Sequence, residues 1–380
     1  MVRGDPVRRV VLAAKTVGAD RVHVAADFGP YGGRRDQEVE VALGDAGIEL
    51  IRTGSPYAVP PGRVTNGSGH PYQVYTPFSR AWSDHGWRAP AETPSGAGWL
   101  ALDADTADIP EPDPPAGLGL PEAGEAAALR RWKEFLDRVD DYDEDRDKPG
   151  VDGTSHMSVH LKWGEIHPRT MLAALSRKRS AGAATYRKEL AWREFYADVL
   201  FARPRTARDY LRAEYAAMTY DHPGVQLEAW RAGGTGFPIV DAGMRQLRAT
   251  GWMHNRVRMI AASFLVKDLH LEWQHGARHF MHWLVDGDLA SNQHGWQWVA
   301  GCGTDAAPYF RVFNPTGQGR KFDPGGRYVR QWVSELRDPA QVPDPHDPDP
   351  GTRDLVGYPP PMVDHRAERQ EALDRWEAIR

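Results

Sequence analysis

The chain has 380 residues, 41% hydrophobic and 26% charged, with a formal net charge of −5. Those are the proportions of a soluble globular protein long enough for two domains and a substantial core. No run approaches the about eighteen apolar residues of a membrane span, and the opening MVRGDPVRRVV lacks the apolar centre of a secretory signal. The single cysteine, Cys302, excludes an internal disulfide framework and any cysteine-based metal site; a reducing cytoplasm is the default and no metal is expected.

In chain order, residues 1–90 read as α/β. Asp5-Pro6 starts a helix that runs to about Gly18. RVHVAA (21–26) alternates as a short strand, RRDQEVEVALGDAG (34–47) reads as a helix with a glycine stop, and IELI (48–51) as a second strand. A doubly wound sheet begins with a strand, and none precedes the first helix, so this is expected to be a truncated Rossmann-like unit. Residues 91–124, rich in Pro, Gly, Ala and Asp, read as a linker without a repeat.

From residue 125 to 336 the periodicity is helical. GMRQLRATG (243–251), RVRMIAASFLVKDLHL (256–271) and ARHFMHWLVDG (277–287) each place apolar residues three and four apart. Residues 337–380 form a closing unit, an Asp/Pro-rich loop followed by the amphipathic HRAERQEALDRWEAIR (365–380). The fold class is therefore α/β plus all-α.

Two features point toward function. Residues 103–147 hold fifteen acidic residues against five basic, and residues 169–212 hold eleven basic against four acidic. That split predicts a basic surface for a polyanion on an otherwise acidic protein. Of the fourteen tryptophans, most follow residue 130, and indoles in such number build stacking surfaces or electron-rich pockets. DGDLASNQHGWQW (286–298) gathers Asp286, Asp288, Asn292, Trp296 and Trp298, with Gly287 and Gly295 interrupting a single helix. Taken alone it reads as a capped helical corner with core tryptophans.

Read together, TGFPIVDAGMRQLRATGWMHNRVRMIAASFLVKDLHLEW, DGDLASNQHGWQW and GTDAAPYFRVFNPTGQGRKFD resemble the flavin domain of the DNA photolyase/cryptochrome family. The likeness runs almost unbroken from Tyr142 to Leu336 and is closest to the class I members that repair cyclobutane pyrimidine dimers. The resemblance implies a helical domain holding FAD in a U-shape above a DNA-facing cavity, and light-driven electron transfer from reduced FAD to ultraviolet-damaged DNA.

Its residue patterns carry over as follows. YDEDRDKPGVDGTS supplies Tyr142, Arg146, Thr154 and Ser155, followed by His156, Met157 and Ser158, for the ribityl-phosphate region. Hydroxyls and main-chain N–H groups at a helix start suit a pyrophosphate, although an isolated DGTS is merely an N-cap. Tyr186 and Arg193 belong to the same cofactor set. Asp286 pairs with Arg258 and, with Gly287 and Asp288, lines the polar edge of the flavin. Asn292 faces N5, where a neutral amide can hydrogen-bond the ring in more than one protonation state. Trp296, Trp273 and, in place of the family's third tryptophan, Tyr220 form an electron relay to the surface. A tyrosine at its outer end must release its phenolic proton on oxidation.

On the substrate side, KELAWREFY gives Glu189, Trp192, Arg193 and Tyr196, and WMHNRVRM gives Asn255, Arg256 and Met259. Trp192 and Trp298 form the wedge around a flipped-out dimer, which a damaged and poorly stacked pair yields most cheaply. Glu189 and Asn255, the latter also facing the cofactor, bind its base edges. Arg256 clamps phosphate and Gln318 touches the strand. The (6-4) photolyases carry a histidine pair around the lesion where this chain reads MHNRVRM, and the Met259 pattern favours cyclobutane dimers.

Met157 and Val159 depart mildly from the pattern. The family's N-terminal strand, with its Arg-Arg-Asp-Leu-Arg motif, is not present, although GSPYAVPPG and HPYQVYTPFSRAW still match that domain. The missing start weighs against an antenna pigment, methenyltetrahydrofolate or a deazaflavin. The expected partner is DNA containing pyrimidine dimers. No membrane or obligate protein partner is expected, and the chain should be a monomer in the cytoplasm, nucleoid-associated in a prokaryote. The rival class is a cryptochrome-like blue-light photoreceptor using the same flavin pocket, against which Asn292 and the complete substrate set argue; a third reading is an inactive fragment.

Overall fold

A computed structural model describes the chain except for residues 1, 93, 97, 102–105, 112, 116 and 306–309. Parts of the 91–124 linker and residues 306–309 of the GTDAAPYF stretch therefore lie outside the described residues. The N-terminal part is α/β: α1 (Pro6–Thr16), β1 (Arg21–Val24), α2 (Pro30–Gly44) and β2 (Glu49–Arg52). Asp5 caps α1 by accepting from the Arg8 N–H at 3.0 Å, and Pro6 fits the first helical position, where no N–H is needed. α2 begins at Pro30, four residues before the sequence pattern, because Pro30 takes the same N-terminal role after Gly29. β1 and β2 pair in parallel in the register Val22↔Leu50 and Val24↔Arg52. Ala14, Val39, Leu43 and Ile48 form their small separate core.

The next segment leaves the sheet. Helix α3 (Tyr75–His85) and the loop before it pack Ala58, Val59, Phe78 and Trp82 into one core with Trp132, Phe135, Tyr186 and Phe195. Those partners come from α4 (Glu125–Leu136) and the long α8 (Ala181–Ala202). Between these two lie the short α5 (Tyr142–Asp145), α6 (Ser158–Trp163) and α7 (Pro168–Leu175). A buried carboxylate joins the layers. Glu194 of α8 accepts from Ala58 N at 2.5 Å, Val59 N at 3.0 Å and Trp82 Nε1 at 2.6 Å.

The largest core lies in the C-terminal half, around Trp230, Phe264, Trp273, Phe280 and Tyr328. Its helices are α9 (Val225–Ala232), α10 (Pro238–Thr250), α11 (Asn255–Lys267), α12 (Trp273–Trp283) and α13 (Leu289–Ala300). They are closed by α14 (Pro315–Phe322), α15 (Arg327–Trp332), α16 (Pro350–Val356) and α17 (His365–Glu377). The apolar periodicity seen in 256–271 ends at Lys267, because the chain turns there and His270 takes a left-handed φ of 50°. No helix of the described residues is long and apolar enough to cross a membrane.

Arg245 of α10 grips Glu335 with two parallel contacts, Nη1–Oε2 at 2.6 Å and Nη2–Oε1 at 2.9 Å. Burial opposes ionisation of Glu335, but Arg245 overrides it and holds the carboxyl at about 2, against an ordinary 4.5. A carboxylate depressed on folding stabilises above its unfolded pKa, and that stability is lost as pH falls from about 4.5 toward 2. Glu335→Gln should therefore lower stability by about 2 kcal/mol at neutral pH. In urea unfolding the deficit should shrink as pH is lowered through 4; a pH-independent deficit would mean that packing, not charge, is lost.

Candidate flavin and substrate cavity

One cavity of about 510 Å³ gathers residues from α5, α6, α8, α11, α12 and α13. Its buried end is set by the start of α13. Asp288 caps that helix, accepting from Ser291 N at 2.8 Å, while its neighbour Asp286 turns inward. Asp286, its side chain 2% exposed, accepts from Arg258 Nη2 at 2.8 and 3.1 Å, and Arg258 Nε is tied to Met253 O at 2.7 Å. Gly287, Asp288 and Asn292 line the same wall. Asn292 donates from Nδ2 to Ala277 O at 3.1 Å and Gln293 Oε1 at 2.8 Å. Among the described residues its Oδ1 has no partner, which leaves an acceptor for a ligand N–H.

Contrary to the sequence reading, Gly295 does not break this segment: it lies inside α13 and lines the cavity. A Cβ there would meet nothing within 4 Å, so the glycine leaves empty a volume that any side chain would take from the cavity. Gly276 of α12 is small for a different reason. An added Cβ would sit 2.0 Å from Trp296 Cη2, so α12 meets the indole of Trp296 at backbone distance.

Across the cavity stand Tyr142 and Arg146 at α5, then Thr154, Ser155, His156, Met157 and Ser158 at the start of α6. Ser155 and Tyr186 share a hydrogen bond of 2.7 Å between their hydroxyls. His156, in a left-handed conformation with φ 55°, packs its ring 4.2 Å from that of Trp252. No side chain caps α6, which leaves its first N–H groups for a bound anion.

α8 presents Glu189, Trp192, Arg193 and Tyr196 to the cavity, and α11 presents Asn255, Arg256 and Met259. Burial raises the Glu189 carboxyl despite Arg146, whose Nη1 lies 2.6 Å from Glu189 Oε1. Trp192 stacks flat on Tyr75 of α3, with centroids 3.7 Å apart and planes at 5°. Trp298 donates from Nε1 to Asp305 O at 3.1 Å. His254 caps α11 by accepting from Arg256 N at 3.2 Å. That needs a neutral imidazole, and burial holds His254 down at about 4.

Arg256 is already paired. Its Nη2 lies 2.7 Å from Asp147 Oδ1, and its guanidinium sits 4.3 Å from the Phe322 ring centroid. Part of the 169–212 basic stretch is likewise drawn into the fold. Arg169 donates to Ala58 O, Arg187 to Leu175 O and Lys178 O, and Arg193 to Pro56 O. Three named residues do not line the cavity. Gln318 lies on α14, whose Phe322 touches Arg256; Trp273 is fully buried at the start of α12; Tyr220 lies in the adjoining core. Tyr75, Asp147, Trp252 and Phe322 escaped the sequence reading, because each matters only through a partner distant in the chain.

A helical body enclosing a cavity with an arginine–carboxylate pair, an amide acceptor and a hydroxyl-rich helix start, joined to a small α/β unit, defines a flavoprotein of the photolyase/cryptochrome fold. Residues 186–378 match the family described as the FAD binding domain of DNA photolyase, and residues 1–95 match that described as DNA photolyase. The deoxyribodipyrimidine photo-lyase of Escherichia coli is 40% identical over 91% of this chain and 76% of its own. The crystal structure of a bacterial class III photolyase from Agrobacterium tumefaciens superposes with a TM-score of 0.87 at 37% identity, covering 99% of this chain and 83% of that one. A Synechocystis cryptochrome superposes with a TM-score of 0.84 at 27% identity, over 100% and 83%. The chain belongs to the DNA photolyase family.

Arg258→Ala would leave Asp286 buried without its counter-charge, a loss of about 3–5 kcal/mol. FAD should then be lost on gel filtration; full retention would show that the pair does not border the cofactor. Gly295→Ala should act oppositely on fold and site. It should stabilise the flavin-free protein by about 1 kcal/mol through helix propensity and weaken FAD affinity by filling cavity volume. Unchanged FAD affinity in a titration would place the cofactor away from this wall.

Proposed function

We propose that this chain splits cyclobutane pyrimidine dimers in DNA, as a light-driven carbon–carbon lyase dependent on FAD. The observation that carries the reading is one shared cavity, which brings the Arg258–Asp286 pair and Asn292 at its buried end together with Trp192, Trp298, Glu189, Asn255 and Met259.

The cavity fits the cofactor. Thr154, Ser155 and Ser158 would hold its phosphates and ribityl chain, Tyr186 and Arg146 its flank, and Asn292 Oδ1 the N5 side. Bound and reduced, FAD supplies the photoexcited electron for dimer cleavage. The protein's own part is placement and exclusion of water. Trp192, held flat by Tyr75, and Trp298, anchored to Asp305 O, offer rigid apolar faces to an extruded dimer. Glu189 and Asn255 offer hydrogen bonds to its base edges.

Arg256 contacts DNA phosphate only by exchanging Asp147 for it, and Arg146 is restrained in the same way by Glu189. Trp296, Trp273 and Tyr220 are proposed as the route by which electrons reach the site from outside. A photosensor reading draws on the likeness to the Synechocystis cryptochrome; the dimer-binding set lining the same cavity favours repair.

Blue light should convert a dimer-bearing oligonucleotide to intact pyrimidines in the presence of the flavin-loaded chain, with no conversion in the dark. Arg256→Ala should weaken damaged and undamaged DNA alike and flatten the slope of log K against log salt by about one. Asp147→Asn should tighten both. Trp298→Ala should weaken the damaged strand selectively, by roughly 1–3 kcal/mol per stacked base. Equal losses for both strands in Trp298→Ala would remove this tryptophan from the wedge.

A further inference from the structure

The outer end of the aromatic route is not arranged as the sequence suggests. Tyr220 does not meet Trp273 directly. Tyr210 stands between them, its ring centroid 6.2 Å from Trp273 at 87° and 6.3 Å from Tyr220 at 24°. Tyr210 was not singled out from the sequence, and it differs from its neighbours in what its polar atom touches. Its hydroxyl donates to Glu272 Oε1 at 3.1 Å. The Tyr220 hydroxyl donates to a main-chain carbonyl, Tyr215 O, at 3.4 Å, and a carbonyl cannot take up a proton at neutral pH.

The indoles are held differently again. The Nε1 atoms of Trp296 and Trp273 are buried without a hydrogen-bond partner among the described residues. An oxidised indole with no acceptor keeps its N–H proton and remains a cation, which is strongly oxidising. An oxidised phenol is a strong acid, and it is stabilised only where a base can take its proton. Along Trp296, Trp273, Tyr210 and Tyr220, Tyr210 is the ring whose polar atom rests on a carboxylate.

Resting on the relay read above, we propose that Tyr210 is the terminal electron donor of this route and that Glu272 is its proton acceptor. In the step, one electron passes from Tyr210 to the oxidised Trp273, which returns to the neutral indole. The Tyr210 O–H bond breaks, its proton goes to a Glu272 carboxylate oxygen, and a neutral phenoxyl radical remains. The oxidising equivalent on Trp273 originates in the photoexcited flavin.

Three features of the site favour this step. Glu272 is half-buried, so the captured proton has a path to solvent. Glu272 occupies the N-cap position of α12 but makes no side-chain capping bond there, so its carboxylate is available to Tyr210. Burial raises both phenols, and so does the charge of Glu272; the contact between the two phenols raises Tyr220 and lowers Tyr210, so of the two it is Tyr220 whose proton is held more tightly.

The test is flash photolysis of the FAD-loaded protein, followed by transient absorption and time-resolved electron paramagnetic resonance. The unmodified protein should give an indole cation radical followed by a neutral tyrosyl radical that appears more slowly in D2O. Tyr210→Phe should abolish the tyrosyl signal and leave the indole cation, whereas Tyr220→Phe should keep it. Glu272→Gln should slow its appearance by about 10²-fold, the scale of a positioned proton acceptor, and Glu272→Asp should recover part of that. FAD stoichiometry and circular dichroism report folding of each variant separately.

A tyrosyl signal that survives Tyr210→Phe and is lost in Tyr220→Phe would overturn the assignment and leave the relay intact. Unmodified kinetics in Glu272→Gln would overturn the role of the carboxylate. If no indole radical forms in the unmodified protein, the relay reading falls and this proposal falls with it.

Discussion

The buried carboxylate of Glu194 is the interaction on which the remaining architecture depends. It is 2% exposed and satisfied by Ala58 N, Val59 N and Trp82 Nε1, so it ties the loop after β2 and the helix α3 to α8 in one contact. Burial pushes its acid up, and the three donors oppose that shift. Removing the acceptor would leave two main-chain N–H groups and an indole N–H without a partner, each costly in the interior. One turn away, Asp198 accepts from Gly62 N at 2.6 Å and repeats the attachment. α8 can therefore present Glu189, Trp192, Arg193 and Tyr196 to the cavity only while its other face is anchored in this way.

The same logic governs the cavity's two ends. At the buried end, charges are matched within the protein, Arg258 with Asp286, so the wall is fixed before any ligand arrives. Rings at the other end are held by rings: Trp192 lies on Tyr75, and Arg256 covers Phe322. Rigid aromatic faces lose little freedom on binding a flat ligand, which is why such a site can be selective at modest contact area.

Sequence patterns were informative where one element speaks for itself. The apolar spacing within 243–251, 256–271 and 277–287 corresponds to α10, α11 and α12, with boundaries displaced by caps: α12 begins at Trp273, and α11 stops at Lys267. Motif resemblance named twenty-two residues that line one cavity. What escaped was long-range pairing. Asp147 reads as one more acid in an acidic run, yet it sits 2.7 Å from Arg256, 109 positions on. Glu194 reads as a solvated charge in KELAWREFY, although its partners lie 112 to 136 positions upstream. Gly295 reads as a helix breaker, because periodicity cannot tell a break from a helix face left empty for a ligand. Tyr210 had no motif to mark it; its position between two rings and its hydrogen bond to Glu272 give it weight.

The division of the basic residues into two kinds bears on how this protein meets DNA in time. Arg169, Arg187 and Arg193 bond to neutral carbonyl oxygens, so their charges remain and contribute to the field felt at a distance. Arg146 and Arg256 face carboxylates, so their fields are largely cancelled a few ångströms away. Uncancelled charge governs the rate of encounter and is sensitive to salt. On the proposed reading the cancelled pair Arg256–Asp147 would act only after contact, when DNA phosphate competes with Asp147 for the guanidinium group. On the proposed repair reading, search and residence would fall to different arginines: the uncancelled set would favour encounter with any stretch of duplex, and the Arg256–Asp147 pair would open only on contact.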